Sequence, residues 1–187
     1  MVGWMERADR VLFGTYSRFP VTLVRGEGCR LWDDNGRVYL DMVSGLAVCN
    51  VGHCHPKVVE AIRNQCERLV HVSNLYYTTP QVELAERLVE LTFAHRVFFC
   101  NSGAEANEGA LKLARKAVKD RGEPQRVEFI TMEGSFHGRT LATVAATAQE
   151  KYQKGFEPLM PGFKYVPFGD IHAVEGAIDE RTCAVLV

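Results

Sequence analysis

No run of apolar residues in this 187-residue chain approaches the ~18 that a membrane-crossing helix needs. The opening Met1–Arg7 stretch also lacks the apolar core of a secretion signal. The expectation is a cytosolic protein with no membrane partner. Charge of one sign is missing too. Lys and Arg total 22 and Asp and Glu 23, for a net charge of −1. Without a positive excess there is no general electrostatic basis for binding nucleic acid, and none is expected as a partner. The six cysteines (Cys29, Cys49, Cys54, Cys66, Cys100 and Cys183) include no C-x-x-C pair. That spacing favours reduced thiols over disulfides or a zinc site. The densest group, Cys49 to His55, has no second cluster to complete a ligand set, so no metal is expected. Repeats, low-complexity tracts and flexible linkers are absent as well. What remains, 47% hydrophobic and 24% charged residues, is the composition of a globular protein.

The chain changes grammar near residue 50. Before that point a lead helix precedes short alternating strands at Val21–Val24, Cys29–Trp32 and Val38–Leu40, with Asp33-Asp-Asn-Gly36 as a hairpin-type turn. This predicts a small antiparallel N-terminal segment over 1–50. After Pro56 the apolar residues Val58, Val59, Ile62, Cys66, Leu69 and Val70 recur at helical spacing, which predicts a helix over about 57–70. Thr79 followed by Pro80 reads as the cap and first position of a second helix. Strands are then expected at 97–100, 127–132, 165–166 and 183–187, alternating with helices over about 103–120, 139–148 and 171–178. Such alternation is the mark of an α/β fold with a mainly parallel sheet covered on both faces. Lys112, Arg115, Lys116, Lys119 and Arg121 read as a solvated charged face. The final Cys183-Ala-Val-Leu-Val187 strand stops at its most hydrophobic point, so 51–187 reads as the first portion of a larger domain, truncated at its C-terminus.

Two strand-to-helix junctions could carry chemistry. In Asn101-Ser-Gly-Ala-Glu105, free backbone N–H groups and the positive end of a helix dipole offer an anion site, with Gly103 allowing close approach and Ser102 adding a hydroxyl. The same Ser-x-x-Glu spacing is a capping box, which needs no ligand. In Ser135-Phe-His-Gly-Arg-Thr140, Phe136 could cover a planar ring, Arg139 could hold a carboxylate, and His137 could touch a ligand or merely support the turn. Ligand sites of α/β proteins gather at the carboxyl ends of strands, where both junctions fall. Together they suggest a pocket for a phosphorylated aromatic cofactor and an anionic substrate.

The order of these motifs resembles a known family. Gly26-Glu-Gly28, Leu31-Trp-Asp33, Ser44-Gly-Leu-Ala-Val-Cys-Asn50, Gly52-His-Cys-His-Pro56, Ser73-Asn-Leu-Tyr-Tyr77, Phe98-Phe-Cys-Asn-Ser-Gly-Ala-Glu-Ala-Asn-Glu108, Ser135–Thr140 and Gly155-Phe-Glu-Pro158 are similar to segments of the class III (subgroup II) aminotransferases. The resemblance runs nearly end to end. It implies the fold-type I architecture, pyridoxal 5′-phosphate (PLP) as cofactor, and a homodimer with Asn74–Tyr77 reaching the partner. It further implies that Ser102, Gly103 and Ala104 hold the cofactor phosphate, that Phe136 stacks on its ring with His137 beside it, and that Arg139, assisted by Tyr16, pairs with the substrate carboxylate.

Within the family the similarity is greatest to the branch that transaminates N2-acetylornithine with 2-oxoglutarate in arginine biosynthesis. The branch acting on free ornithine carries a second tyrosine where this chain has Leu46, which leaves an apolar wall. Branches acting on succinylornithine, ornithine or 4-aminobutyrate are the alternatives, as is a non-catalytic chain that retains phosphate binding. The family's Schiff-base lysine is expected beyond Val187. None of Lys57, Lys112, Lys116, Lys119, Lys151, Lys154 or Lys164 stands in a matching context, so no catalytic residue is expected in this chain and it should be inactive alone.

Overall fold

The computed structural model describes residues 3–187, and the chain divides into two compact units, Met1–Thr79 and Pro80–Val187. In the first unit, helix α1 (Trp4–Val11) precedes an antiparallel sheet of β1 (Leu23–Glu27), β2 (Arg30–Asp33) and β3 (Val38–Leu40), in that order. The hairpin forms where the Asp-Asp-Asn-Gly turn predicts it. Asp33 Oδ1 accepts from the backbone N–H groups of Asn35 (2.9 Å) and Arg37 (2.8 Å), while Oδ2 accepts from the Tyr39 hydroxyl (2.8 Å). Gly36 supplies the positive φ of 78° that closes the turn.

Beyond β3, the short segment α2 (Ser44–Ala47) contains consecutive left-handed residues, with φ of 53°, 62°, 58° and 64° from Ser44 to Ala47. Asp41 holds its entrance. One carboxylate oxygen accepts from Val43 N–H (2.8 Å) and Ser44 N–H (3.0 Å), and the other lies 2.6 Å from His53 Nε2. Helix α3 (Pro56–Cys66) starts on the proline as expected but stops four residues before 70.

The boundary between the units falls at the start of α4 (Thr79–Leu91), in which Thr79 is the first helical residue rather than a cap. Then follow α5 (Gly103–Asp120), β4 (Glu128–Met132), α6 (Leu141–Ala146), α7 (Glu150–Gln153), β5 (Phe163–Val166), α8 (Ile171–Ala177) and β6 (Thr182–Leu186). The last three strands form one parallel sheet in the order β5-β4-β6. This agrees with the α/β expectation. Leu111, Phe129 and Ala142 are the buried residues of one face, under α5 and α6. Ile130, Met132 and Val166 fill the other, under α8. Two sheet faces covered by helices explain why β4 is buried continuously from Phe129 to Met132 instead of at alternate residues.

Three further details depart from the sequence expectation. Residues 97–100 form no strand, because no described segment offers them a ladder of hydrogen bonds. Arg115 does not belong to a solvated face. It is half-buried, and its guanidinium donates to the Val127 carbonyl at 2.9 and 3.1 Å, tying α5 to the start of β4. Helix α6 is shorter than 139–148 because Thr140 serves as its cap, in a reciprocal capping box with Thr143. At the amino end of the sheet Glu128 pairs with Lys164 (3.1 Å) and Arg181 (2.6 Å), and Lys164 also pairs with Asp179 (2.7 Å), joining all three strands.

Candidate active site

Helix α5 begins as its sequence specifies. Ser102 is the N-cap, with its hydroxyl accepting from Glu105 N–H at 3.2 Å, while the Glu105 carboxylate turns back to accept from Asn101 N–H at 2.7 Å. The Ser102 cap therefore forms, although the return bond to Glu105 comes from Asn101 N–H and not from Ser102 N–H, and the cap does not use every donor. Among the described residues, Gly103 and Ala104 N–H have no hydrogen-bond acceptor. A Cβ on Gly103 would meet nothing within 4 Å, so the side-chain position at the helix start is open. The helix dipole adds partial positive charge at the same place.

The Ser135–Thr140 loop is fastened to this helix. Asn107 Nδ2 donates to the His137 carbonyl (2.8 Å), and the Thr140 hydroxyl donates to Glu108 (2.6 Å). Gly138 decides how closely the two approach. A Cβ there would sit 2.8 Å from the Ala104 Cβ and 2.5 Å from Thr143 Oγ1. Only glycine allows this contact, and its φ of 137° belongs to the region other residues rarely enter. Two motifs separated by some thirty residues of sequence are thus one constellation.

Within the loop the side chains divide. Phe136 is 56% exposed, and Arg139 is also exposed, its guanidinium 5.7 Å from the Phe136 ring centroid and 4.4 Å from that of Tyr152. His137 turns inward and is 7% exposed. Its backbone N–H donates to Thr147 Oγ1 (2.8 Å), and its Nε2 is buried without a partner among the described residues. Burial pushes the His137 imidazole below its ordinary pKa, because a charge there would lose its water. Burial therefore favours the uncharged form of the ring. Met132, Ser135, Phe136, His137, Phe168 and Val187 line an open hollow of about 620 Å³ at the carboxyl ends of the parallel strands, where α/β proteins place their ligands.

Of the residues singled out from sequence, Ser102, Gly103, Ala104, Phe136, His137 and Arg139 belong to this unit, and the first three meet the last three through Gly138, Asn107 and Glu108. Tyr16 lies in the first unit, exposed, with the Arg18 guanidinium 5.7 Å from its ring. Sequence reasoning passed over Asn107, Glu108, Thr147, Gln149 and Tyr152. Their role is to hold the loop, and no local spacing signals a contact made across such a separation.

The arrangement would suit a phosphate ester of a flat ring: two unpaired N–H groups at a helix start can donate to a phosphate, and the exposed Phe136 is available to cover a ring. Lys164, the one half-buried lysine among the described residues, is engaged by Glu128 and Asp179 at the opposite end of the sheet.

The chain is 55% identical over 183 residues to the acetylornithine aminotransferase of Myxococcus xanthus, covering 98% of this chain and 46% of that protein. It is 54% identical over 184 residues to the acetylornithine aminotransferase of Methanocaldococcus jannaschii, with the same coverage of 98% and 46%. The chain therefore spans about half the length of the curated relatives it matches. Among solved structures, the ornithine aminotransferase of Toxoplasma gondii superposes with a TM-score of 0.92 at 30% identity, covering 97% of this chain and 43% of that one. That protein carries PLP at its active site in partial occupancy. An omega-transaminase from Thermomicrobium roseum gives a TM-score of 0.88 at 30% identity, with coverage of 99% and 49%. The profile of the family described as Aminotransferase class-III matches residues 14–187, leaving outside it only α1 and its immediate flanks, and the chain belongs to that family.

Proposed function

We propose that this chain forms the phosphate- and carboxylate-binding part of an enzyme that transaminates N2-acetylornithine with 2-oxoglutarate. The observation that carries the proposal is the Gly138 contact, which seats the Phe-His-Gly-Arg loop against the two free N–H groups of the α5 start. Class III aminotransferases use PLP. When bound, that cofactor supplies the electron sink and the carrier for the amino group. The chain's own residues bind and orient. Gly103 and Ala104 N–H groups, with Ser102 beside them, hold the phosphate. Phe136 covers the ring face. Arg139 takes the substrate carboxylate. His137, buried and turned inward, supports the loop from beneath.

The choice of N2-acetylornithine rests on identities of 55% and 54% to acetylornithine aminotransferases, against 30% to the ornithine enzyme. We assign a homodimeric state to the working enzyme. Exposed apolar side chains at Leu75 (82%), Tyr76 (68%) and Tyr77 (99%) support a partner surface.

The test is glutamate formation from 2-oxoglutarate by the protein purified from its native cells, with PLP added. N2-acetylornithine should give the highest kcat/KM, ahead of succinylornithine, ornithine and 4-aminobutyrate. Arg139→Ala should lower that kcat/KM by roughly thirtyfold, the loss of about 2 kcal/mol for a charged hydrogen-bonded contact. A preference for 4-aminobutyrate or free ornithine, or an unchanged constant in Arg139→Ala, would overturn the assignment.

A further inference from the structure

The segment Thr147–Gln153 has no assigned part in this site, yet it is fastened to the loop with unusual thoroughness. Gln149 Nε2 donates to the carbonyls of Gly134 (3.0 Å) and Ser135 (2.9 Å), immediately before Phe136. Gln153 Nε2 donates to the Thr147 carbonyl (2.9 Å) and to the Tyr165 hydroxyl (3.1 Å), and that hydroxyl donates to the Ala145 carbonyl at 2.7 Å. Two glutamine amides thus pin α7, a helix of only four residues, to the loop on one side and to α6 and β5 on the other. Between the two glutamines stands Tyr152.

Its ring touches both exposed site side chains. Phe136 meets it edge to face, with centroids 5.5 Å apart and planes at 74°. The Arg139 guanidinium lies 4.4 Å from the Tyr152 centroid, closer than its 5.7 Å to Phe136. An arginine on a surface loop otherwise has many rotamers to lose when it binds a carboxylate. A guanidinium resting on an aromatic face keeps its N–H fork free at the edge, so part of that ordering is done before the ligand arrives. The Tyr152 hydroxyl makes no hydrogen bond among the described residues, which leaves the ring face as the functional part.

We infer that Tyr152 is a positioning residue: its ring preorganises the Arg139 guanidinium for the substrate carboxylate and fixes the tilt of Phe136. The inference rests on the reading of Arg139 as the carboxylate-binding group. What it adds is a residue that touches neither substrate nor cofactor and yet sets KM.

The experiment is steady-state kinetics of the purified enzyme with Tyr152→Leu and Tyr152→Phe, each in the wild-type and the Arg139→Gln background. Tyr152→Leu should raise KM for the amino donor by roughly three- to tenfold, as expected for loss of one cation–aromatic contact, with kcat within about twofold. Tyr152→Phe, which keeps the ring, should stay within about twofold of wild type in KM. In the Arg139→Gln background Tyr152→Leu should have no further effect on KM. Phenylalanine bearing one, two or three ring fluorines at position 152 preserves shape while draining the aromatic face, so KM should climb with fluorine number even where the leucine variant folds poorly. An unchanged KM in Tyr152→Leu, equal damage from Phe and Leu, an equal effect without Arg139, or a flat fluorine series would each overturn the inference while leaving the site reading in place. A wild-type KM in Arg139→Gln alone would instead sink the carboxylate role of Arg139, and the inference with it.

Discussion

Gly138 carries a prediction that can be worked from distances. Adding one methyl group, as Gly138→Ala, places a Cβ 2.5 Å from Thr143 Oγ1, 2.8 Å from Ala104 Cβ and 3.0 Å from Thr143 Cβ. None of these neighbours is a flexible tip. Ala104 sits in the first turn of α5, and Thr143 Oγ1 is held by Thr140 N–H (3.0 Å) and the Thr140 hydroxyl (2.7 Å). Overpacking of this kind costs about 1–3 kcal/mol. The φ of 137° adds about 1–3 kcal/mol for a residue with a Cβ, and the smaller unfolded-state entropy of alanine returns about 0.4–1. The net loss should be about 3 kcal/mol, a large share of a typical ~5–15 kcal/mol stability. For a chain of this size that lowers the melting midpoint by about 6–12 °C. Urea denaturation should show an earlier midpoint with an unchanged slope, and absorbance titration should show weaker PLP binding because the loop is displaced from the α5 start. Ala104→Gly removes one of the three contacts, so the double variant should be more stable than the sum of the two single changes implies. A Gly138→Ala protein within about 0.5 kcal/mol of wild type, or a strictly additive pair, would show that the two motifs are not locked together as described.

Two further expectations concern the ring and the sheet. Phe136→Ala should weaken PLP binding by about 1 kcal/mol, near fivefold in Kd by spectral titration, while leaving the urea midpoint little changed because the side chain is 56% exposed. At the amino end of the sheet, the Lys164 ammonium holds the Asp179 carboxyl at about 2, and Arg181 and Lys164 hold Glu128 below its usual range. A carboxylate with a lowered native pKa binds fewer protons folded than unfolded, so its contribution is present above about pH 4 and is lost as pH falls through about 2. Acid denaturation of Lys164→Met should therefore show a shallower decline across that window than wild type, and an identical decline would remove the cluster from the stability of the sheet.

Local chemistry accounts for what could be read in advance. Helix α5 was legible from end to end because its start is a four-residue pattern, Ser102 to Glu105, and its body keeps one apolar stripe. The β2–β3 turn was equally legible, since Asp33 closes it through atoms at most six residues away. Residues 97–100 mark the limit. Their β-branched and aromatic character makes extended backbone favourable, but a strand exists only through a hydrogen-bonded neighbour, which residue type does not specify. Arg115 shows the same limit for side chains: its place on a charged helix face suggested solvent, whereas the Val127 carbonyl holds it half-buried.

The amino-acid sequence by itself determined the two motifs, the donors at the α5 start and the alternation that makes an α/β sheet, because each depends on neighbours within a few residues. Only the tertiary structure decided how they combine. It left Gly103 and Ala104 N–H unpaired after the cap was satisfied, turned His137 inward while exposing Phe136, and set Tyr152 beneath Arg139. Those outcomes follow from close packing between segments distant in sequence, where a missing Cβ at Gly138 or an amide at Gln149 decides which surfaces can meet.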